Sequence, residues 1–197
     1  MKKALDEYKD LAHFFPVPYT TFCELLEEGK VKLTEIRKDE LIISEGEVCK
    51  AITIVIKGAL RQYTLSKGEE VNFLFYFEND FAFDHNSYLS AEPTIYNIQA
   101  LEDGLLLSIE KKTLSDLALT SVDWVKWYNH INEVAIVRLY KRNEVLLTQN
   151  PQERYLKLLE VHPNIMERVS LAKIASFIGI TVPSLSRIRK RIAVNSL

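Results

Sequence analysis

Eight residues, SLSRIRKR at Ser184–Arg191, combine two small hydroxyls with four cations. Such a set is suited to meeting an anion. An arginine offers a planar fork that pairs with two acceptors at once, and serines are short enough to let a surface come close. Wound as a helix with Leu185, Ile188 and Ile192 inward, the segment sets Ser184, Arg187 and Arg191 in an outward row at i, i+3, i+7. Ser186, Arg189 and Lys190 flank that row.

The residues before it must aim this helix. Ser170 is a plausible N-cap for LAKIASFI, where Leu171, Ile174, Ala175 and Ile178 share one face. Gly179 suits the left-handed position that stops a helix, Thr181 can cap the next one, and Pro183 is tolerated in a first turn. Two short helices around a tight glycine turn form the helix-turn-helix layout. A helix about 10–12 Å across fits a major groove about 12 Å wide. Double-stranded DNA is therefore the expected partner. Arg187 is expected to read a base edge, and Arg189, Lys190 and Arg191 to touch phosphates. Thr181, Ser184 and Ser186 complete the expected contact set at the start of the helix, where backbone N–H groups also favour a phosphate. The competing reading is a solvated basic face.

Charge is distributed in keeping with this. The 197-residue chain carries a net −2, yet residues 166–197 hold Arg168, Lys173, Arg187, Arg189, Lys190 and Arg191 against the single anion Glu167, a net of +5. Such asymmetry points to a nucleic-acid or membrane partner for the basic part. No run approaches the roughly 18 apolar residues of a membrane span, and no basic start precedes an apolar stretch, so a cytoplasmic protein without a membrane partner is expected. Cys23 and Cys49 form no CxxC and read as buried thiols.

Upstream, residues 1–30 read as short helices, with Thr20 or Thr21 capping a turn that carries Phe22, Leu25 and Leu26 and that Gly29 closes. Residues 31–110 read as short strands split by Gly46 and Gly58, the pattern of a sandwich or barrel. Residues 121–147 read as one long helix with Trp124, Tyr128, Ile131, Ala135, Leu139 and Leu146 at helical spacing, and with further apolar residues off that stripe. A helix apolar on more than one side is either wedged between two domains of its own chain or joins two copies. Residues 151–197 begin with PQERYLKLLEVH, whose Tyr155, Leu158 and Leu159 face inward. The expected class is α+β: a β-roll domain with N-terminal helices at 1–120, a linker or dimerisation helix at 121–150, and a helix-turn-helix domain at 151–197.

Enzyme chemistry finds little support. A metal-dependent jelly-roll site needs clustered histidines and a carboxylate, but of His13, His85, His130 and His162 only His85 lies in the β-region, and no HxH occurs. GxSxG, P-loop and GxGxxG motifs are absent. No catalytic residue, metal site or cofactor is expected.

The quoted segments resemble the Crp/Fnr family, that of the cyclic-AMP receptor protein and the fumarate–nitrate reductase regulator. SEGEVCKAITIVIKGALRQY is similar to the family's β-roll opening and VSLAKIASFIGITVPSLSRIRKRI to its winged helix-turn-helix core; ITVPSLSRIRK is especially similar to Bacteroidetes members. The resemblance spans residues 30–192. It implies an effector-sensing jelly roll, a homodimer joined through the long helix at Trp124, Tyr128, Ile131, Ala135 and Leu139, and a two-fold DNA operator. RNA polymerase is a candidate further partner. In the cyclic-AMP binders a glycine and a glutamate hold the ribose, and an arginine–serine pair holds the phosphate. Laid on without gaps, those positions are Phe83, Asp84, Thr94 and Ile95, with His85 beside them. Phe83 would fill space that a close backbone approach needs, and Thr94 offers no cationic fork. Cyclic AMP is therefore not the expected effector, and the effector is left unnamed. The oxygen sensors' cysteine cluster is missing, and IAVNSL is short for the family's two-stranded wing, so wing contacts to phosphate are not expected. The alternative is a sensory or interaction module that has lost specific DNA binding.

Overall fold

The computed structural model describes residues 11–195; the parts of the expected N-terminal helices and C-terminal segment that fall at 1–10 and 196–197 lie outside them. Glycines set the strand turns. At Gly58, φ is +98°, and a Cβ added at Gly104 would lie 2.3 Å from the Lys57 carbonyl oxygen. Only residues without a side chain let these two backbones cross.

Around such turns the chain forms β1 (Val31–Ile36), β2 (Leu41–Ile43), β3 (Ala51–Lys57), β4 (Leu60–Ser66), β5 (Glu69–Tyr76), β6 (Phe81–Ala82), β7 (Asn97–Ala100) and β8 (Gly104–Glu110). They make two four-stranded sheets, ordered β1-β8-β3-β6 and β2-β7-β4-β5, with antiparallel pairing throughout. The helices are α1 (Tyr19–Glu27), α2 (His85–Ser90), α3 (Lys111–Ala118), α4 (Val122–Thr148), α5 (Pro151–Val161), α6 (Ile165–Arg168), α7 (Leu171–Ile178) and α8 (Val182–Asn195). The mixed class and the β-roll agree with the sequence reading. Helices α2, α3 and α6 are additions to it. Helix α1 starts before the expected caps: Pro18 takes the N-cap position, and Thr20 and Thr21 lie within the helix.

Side-chain alternation distributes the strands among three cores. Val55, Leu60, Leu74, Tyr76, Ile98 and Leu106 fill the space between the sheets. On the other face of β3 and β8, Ile52, Ile54, Leu107 and Ile109 pack with Phe15, Phe22, Trp124 and Ile131. On the other face of β5, Phe75 and Phe77 join Ala59 and Leu101 in one cluster with Tyr155, Leu158, Ile165, Ile174, Ile178, Leu185 and Ile188.

That allocation corrects the expected dimer stripe. Trp124 and Ile131 are 2% and 1% exposed inside the chain's own core, and Tyr128 packs against the same cluster. The indole N–H of Trp127 donates to the Phe14 carbonyl at 2.6 Å. These large side chains are consumed by the roll, because the outer face of β3 and β8 has to be covered. Ala135 is half-buried, and of the five expected residues only Leu139 counts as exposed.

Polar contacts fasten the C-terminal helices to the roll. Arg168 of α6 donates to both carboxylate oxygens of Glu78, each at 2.8 Å, and also pairs with Glu102. The hydroxyl of Ser176 donates to the Glu70 carbonyl at 2.8 Å and accepts from the Asn72 N–H at 3.0 Å. Arg168→Ala should lower stability by about 1–2 kcal/mol, the worth of a partly buried charge-assisted pair rather than an exposed one. Urea unfolding followed by tryptophan fluorescence checks this; an unchanged midpoint would show the bridge to be fully screened by solvent.

Candidate nucleic-acid interface and effector pocket

Helix α7 begins at Ser170, whose hydroxyl accepts from the Lys173 N–H at 3.5 Å, and ends at Gly179 with φ +76°. The Ile180 N–H returns to the Ala175 carbonyl at 3.0 Å. The chain leaves this left-handed turn into α8 at 95° to α7, within the range of a helix-turn-helix. Thr181 Oγ1 accepts weakly from the Ser184 N–H, at 3.4 Å.

Helix α8 has the two faces expected of it. Leu185 and Ile188 are buried, and Ile192 packs on the same cluster. Thr181, Arg187, Arg189, Lys190 and Arg191 are exposed, and Ser184 and Ser186 are half-buried. Among the described residues no carboxylate pairs with any of the four cations. Arg187 leans on its own helix, donating through Nη2 to Ser184 Oγ at 3.3 Å and through Nε to the Pro183 carbonyl at 3.4 Å. The segment Ile192–Asn195 continues the helix.

One neighbour of this face was missed in the sequence. Asn150, Pro151 and Gln152, the first turn of α5, line the same hollow as Ser184, Arg187 and Arg191. Asn150 caps α5, accepting from Gln152 and Glu153 N–H groups while Glu153 returns the bond, a capping box readable in NPQE.

A second hollow of about 400 Å³ lies between the roll and α4. Of the expected effector residues, Phe83, Asp84 and His85 line it. Thr94 and Ile95 do not, which corrects that expectation. Thr94 is held in a turn, its N–H donating to the Glu47 carbonyl and its carbonyl accepting from the Gly46 N–H, each at 2.8 Å. Ile95 is 61% exposed. Helix α2 changes the local spacing, so an ungapped transfer puts these positions outside the hollow. The neighbouring Tyr96 lines it instead.

Asp84 is committed to capping α2, its Oδ1 accepting from the Asn86 N–H at 3.1 Å. The Phe83 ring lies tilted against His85, 4.0 Å between centroids, and edge-on to Tyr88. Burial holds the His85 imidazole below its usual range, opposed by the Asn132 side chain and by Asp84. Burial also pushes the Tyr76 phenol up; its hydroxyl donates to Gln62 Oε1 at 2.6 Å. The cation that lines the hollow, Arg138, is taken by Asp80 at 3.2 Å and by the Phe75 carbonyl. Among the described residues no group of three or more His, Cys, Asp or Glu side chains is placed to hold a metal ion.

Leu185→Ala should cost about 2–5 kcal/mol, as for other buried leucines, whereas Arg189→Ala on the open face should change stability by less than about 0.5 kcal/mol. Chemical denaturation of both variants checks the facing of α8; equal effects would mean that the helix is rotated.

Residues 33–121 match the family profile described as the cyclic nucleotide-binding domain. No curated protein matches the chain. Among solved structures, FixK2 from Bradyrhizobium japonicum superposes with a TM-score of 0.73 at 18% identity, covering 84% of this chain and 86% of that one. A protein from Eubacterium rectale described as a Crp/Fnr-family transcriptional regulator gives 0.70 at 18% identity, with 93% and 88% covered. CLP from Xanthomonas campestris, described as a c-di-GMP-responsive global regulator, gives 0.68 at 15% identity, with 86% and 89% covered. Roll, long helix and helix-turn-helix therefore make up a Crp/Fnr-type fold in this chain.

Proposed function

We propose that this protein is a transcription regulator that binds DNA as a homodimer, and not an enzyme. The observation that carries the reading is the exposed cationic row of α8, standing beyond a 95° glycine turn with no carboxylate partner among the described residues. Unpaired guanidinium groups on a helix narrow enough for the major groove are suited to base edges and phosphates. The resemblance stated above and the shared fold support the same reading.

The dimer seam is the outer face of α4. Val122, Val125, Asn129, Asn132, Ile136, Leu139, Asn143 and Leu146 recur at alternating spacings of three and four, the repeat of a two-stranded coiled coil. Val122 is 62% exposed and Ile136 53%, a waste of apolar surface in a lone chain. Asparagines in such a seam lower affinity but fix register and pairing. Ile136→Lys should turn the dimer into a monomer, read by sedimentation or light scattering; an unchanged mass would place the interface elsewhere.

The hollow between roll and α4 is the effector site of this reading, and its ligand is not cyclic AMP. Neither Thr94 nor Ile95 reaches it, and Arg138 is already paired. CLP, of the same fold, is described as responding to c-di-GMP, which suits a roll whose ligand varies between proteins.

The deciding experiment is selection of bound duplexes from a random DNA library by the purified full chain. The expected product is a two-fold sequence with half-sites about 34–36 Å apart, one helical turn. In that site Arg187→Ala should cost about 1–3 kcal/mol and relax one base position, while Arg191→Ala should weaken all sequences alike and flatten the salt dependence by about one unit. Equal binding of all sequences by parent and Arg187→Ala would remove Arg187 as a base reader. No enrichment at all would mean either that an effector is required for binding or that the basic face of an interaction module is only solvated.

A further inference from the structure

A third hollow, of about 220 Å³, opens where β5, α4, α5 and α7 meet. It shares only Leu74 and Arg138 with the hollow between the roll and α4. Its floor is apolar, formed by Phe75, Val145, Leu158, Val161 and Phe177. Its rim is cationic, carrying Arg138, Lys141, Arg142, Arg154 and Lys157, and no carboxylate of the described residues lines it.

Two of these charges are matched, Arg138 by Asp80 at 3.2 Å and Lys157 by Glu160 at 2.9 Å. Lys141, Arg142 and Arg154 have no carboxylate partner among the described residues. Arg154 donates to the carbonyls of Gln149 and Ile178 at 3.0 and 2.9 Å. Arg142 is half-buried. It lies 3.9 Å over the Phe177 ring and gives Nη2 to the Phe177 carbonyl at 2.9 Å, while its Nε is buried without a partner. Burial, with the charges of Arg138 and Arg154 adding to it, draws this guanidinium down to about 10. A desolvated cation crowded by like charges is costly unless an anion joins it.

We propose that this hollow binds a small organic anion, a carboxylate or phosphate monoester on a flat apolar body. The acidic oxygens meet Arg142 and Lys141, and the body lies on Phe177 and Val161. The walls belong to β5, to the long helix and to the helices that carry α8, so a bound anion ties all three together. Occupancy of this site does not depend on the DNA-binding reading.

The test is thermal unfolding of the full chain with benzoate, phenyl phosphate, inorganic phosphate and the neutral benzamide, each at ~10 mM. Benzoate or phenyl phosphate should raise the midpoint by about 5 °C as the site saturates. Benzamide and inorganic phosphate should do less than half as much. A rise with benzoate alone assigns a carboxylate ligand, and one with phenyl phosphate alone a phosphate monoester. Lys141→Glu, an exposed position that leaves the fold intact, and Arg142→Gln should both abolish the rise. Tyr96→Phe, in the other hollow, should keep it. The proposal is overturned if neither aromatic anion shifts the midpoint, if inorganic phosphate gives the full rise, if the rise survives Lys141→Glu, or if Tyr96→Phe removes it.

Discussion

The C-terminal helices cannot bury a sufficient core by themselves. A segment of under fifty residues leaves much of its apolar surface in water, and small folds of that size usually need a staple or a partner. Here the partner is a strand of the roll. In VNFLFYF, Leu74 and Tyr76 point between the sheets, whereas Phe75 and Phe77 point outward into the cluster of Ile174, Ile178, Leu185 and Ile188; a register shift at Phe73 breaks the alternation and leaves it packed on the inner cluster beside Leu74. The Phe75 ring tilts against Phe177 at 5.0 Å and Phe77 against His162 at 4.7 Å. One strand thus contributes to two cores, and the placement of α8 follows from the roll rather than from a free linker.

Helix α4 meets a comparable demand by dividing its circumference. Trp124, Trp127 and Ile131 cover the roll. The Val125–Ile136–Leu139 side stays open. Further along the same face as Trp124 and Ile131, Arg138 and Arg142 each donate to a backbone carbonyl, of Phe75 and Phe177 respectively. Both carbonyls belong to the aromatic pair that joins the roll to α7. The two arginines thereby hold the joint at which the two parts of the chain meet.

Legibility in the sequence followed the strength of local signals. The helix-turn-helix was readable because cap, glycine stop and 3.6-residue periodicity agree over a short span, and Leu185 and Ile188 are buried as that period requires. The long helix was readable as an element but its faces were not. The eye follows the heaviest side chains, and Trp124 and Ile131 serve the roll; the outward stripe is diluted by Asn129, Asn132 and Asn143 and so looks weak. NPQE held a capping box that the start at Pro151 concealed. The pocket was only half readable, since α2 interposes a helical turn between Asp84 and Thr94 that no periodicity announces. Its cation, Arg138, comes from a helix more than forty residues away in sequence.

That distant cation bears on how a ligand in the roll could reach α8. Arg138 and Leu74 are the two residues that line both the hollow beside the roll and the hollow at the joint. Asp80 holds one end of the Arg138 guanidinium, and the other end holds the Phe75 carbonyl. From Phe75 the contact passes to Phe177, one residue before the end of α7. Contiguity alone does not transmit a signal; a ligand moves an equilibrium only if it binds two arrangements differently. In this arrangement Arg138 is held from both sides at once, by Asp80 and by the Phe75 carbonyl, so it stands as one strut between the two hollows. A ligand in one hollow that favoured a different placement of that strut would change affinity in the other hollow by the same factor in both directions, as linkage requires.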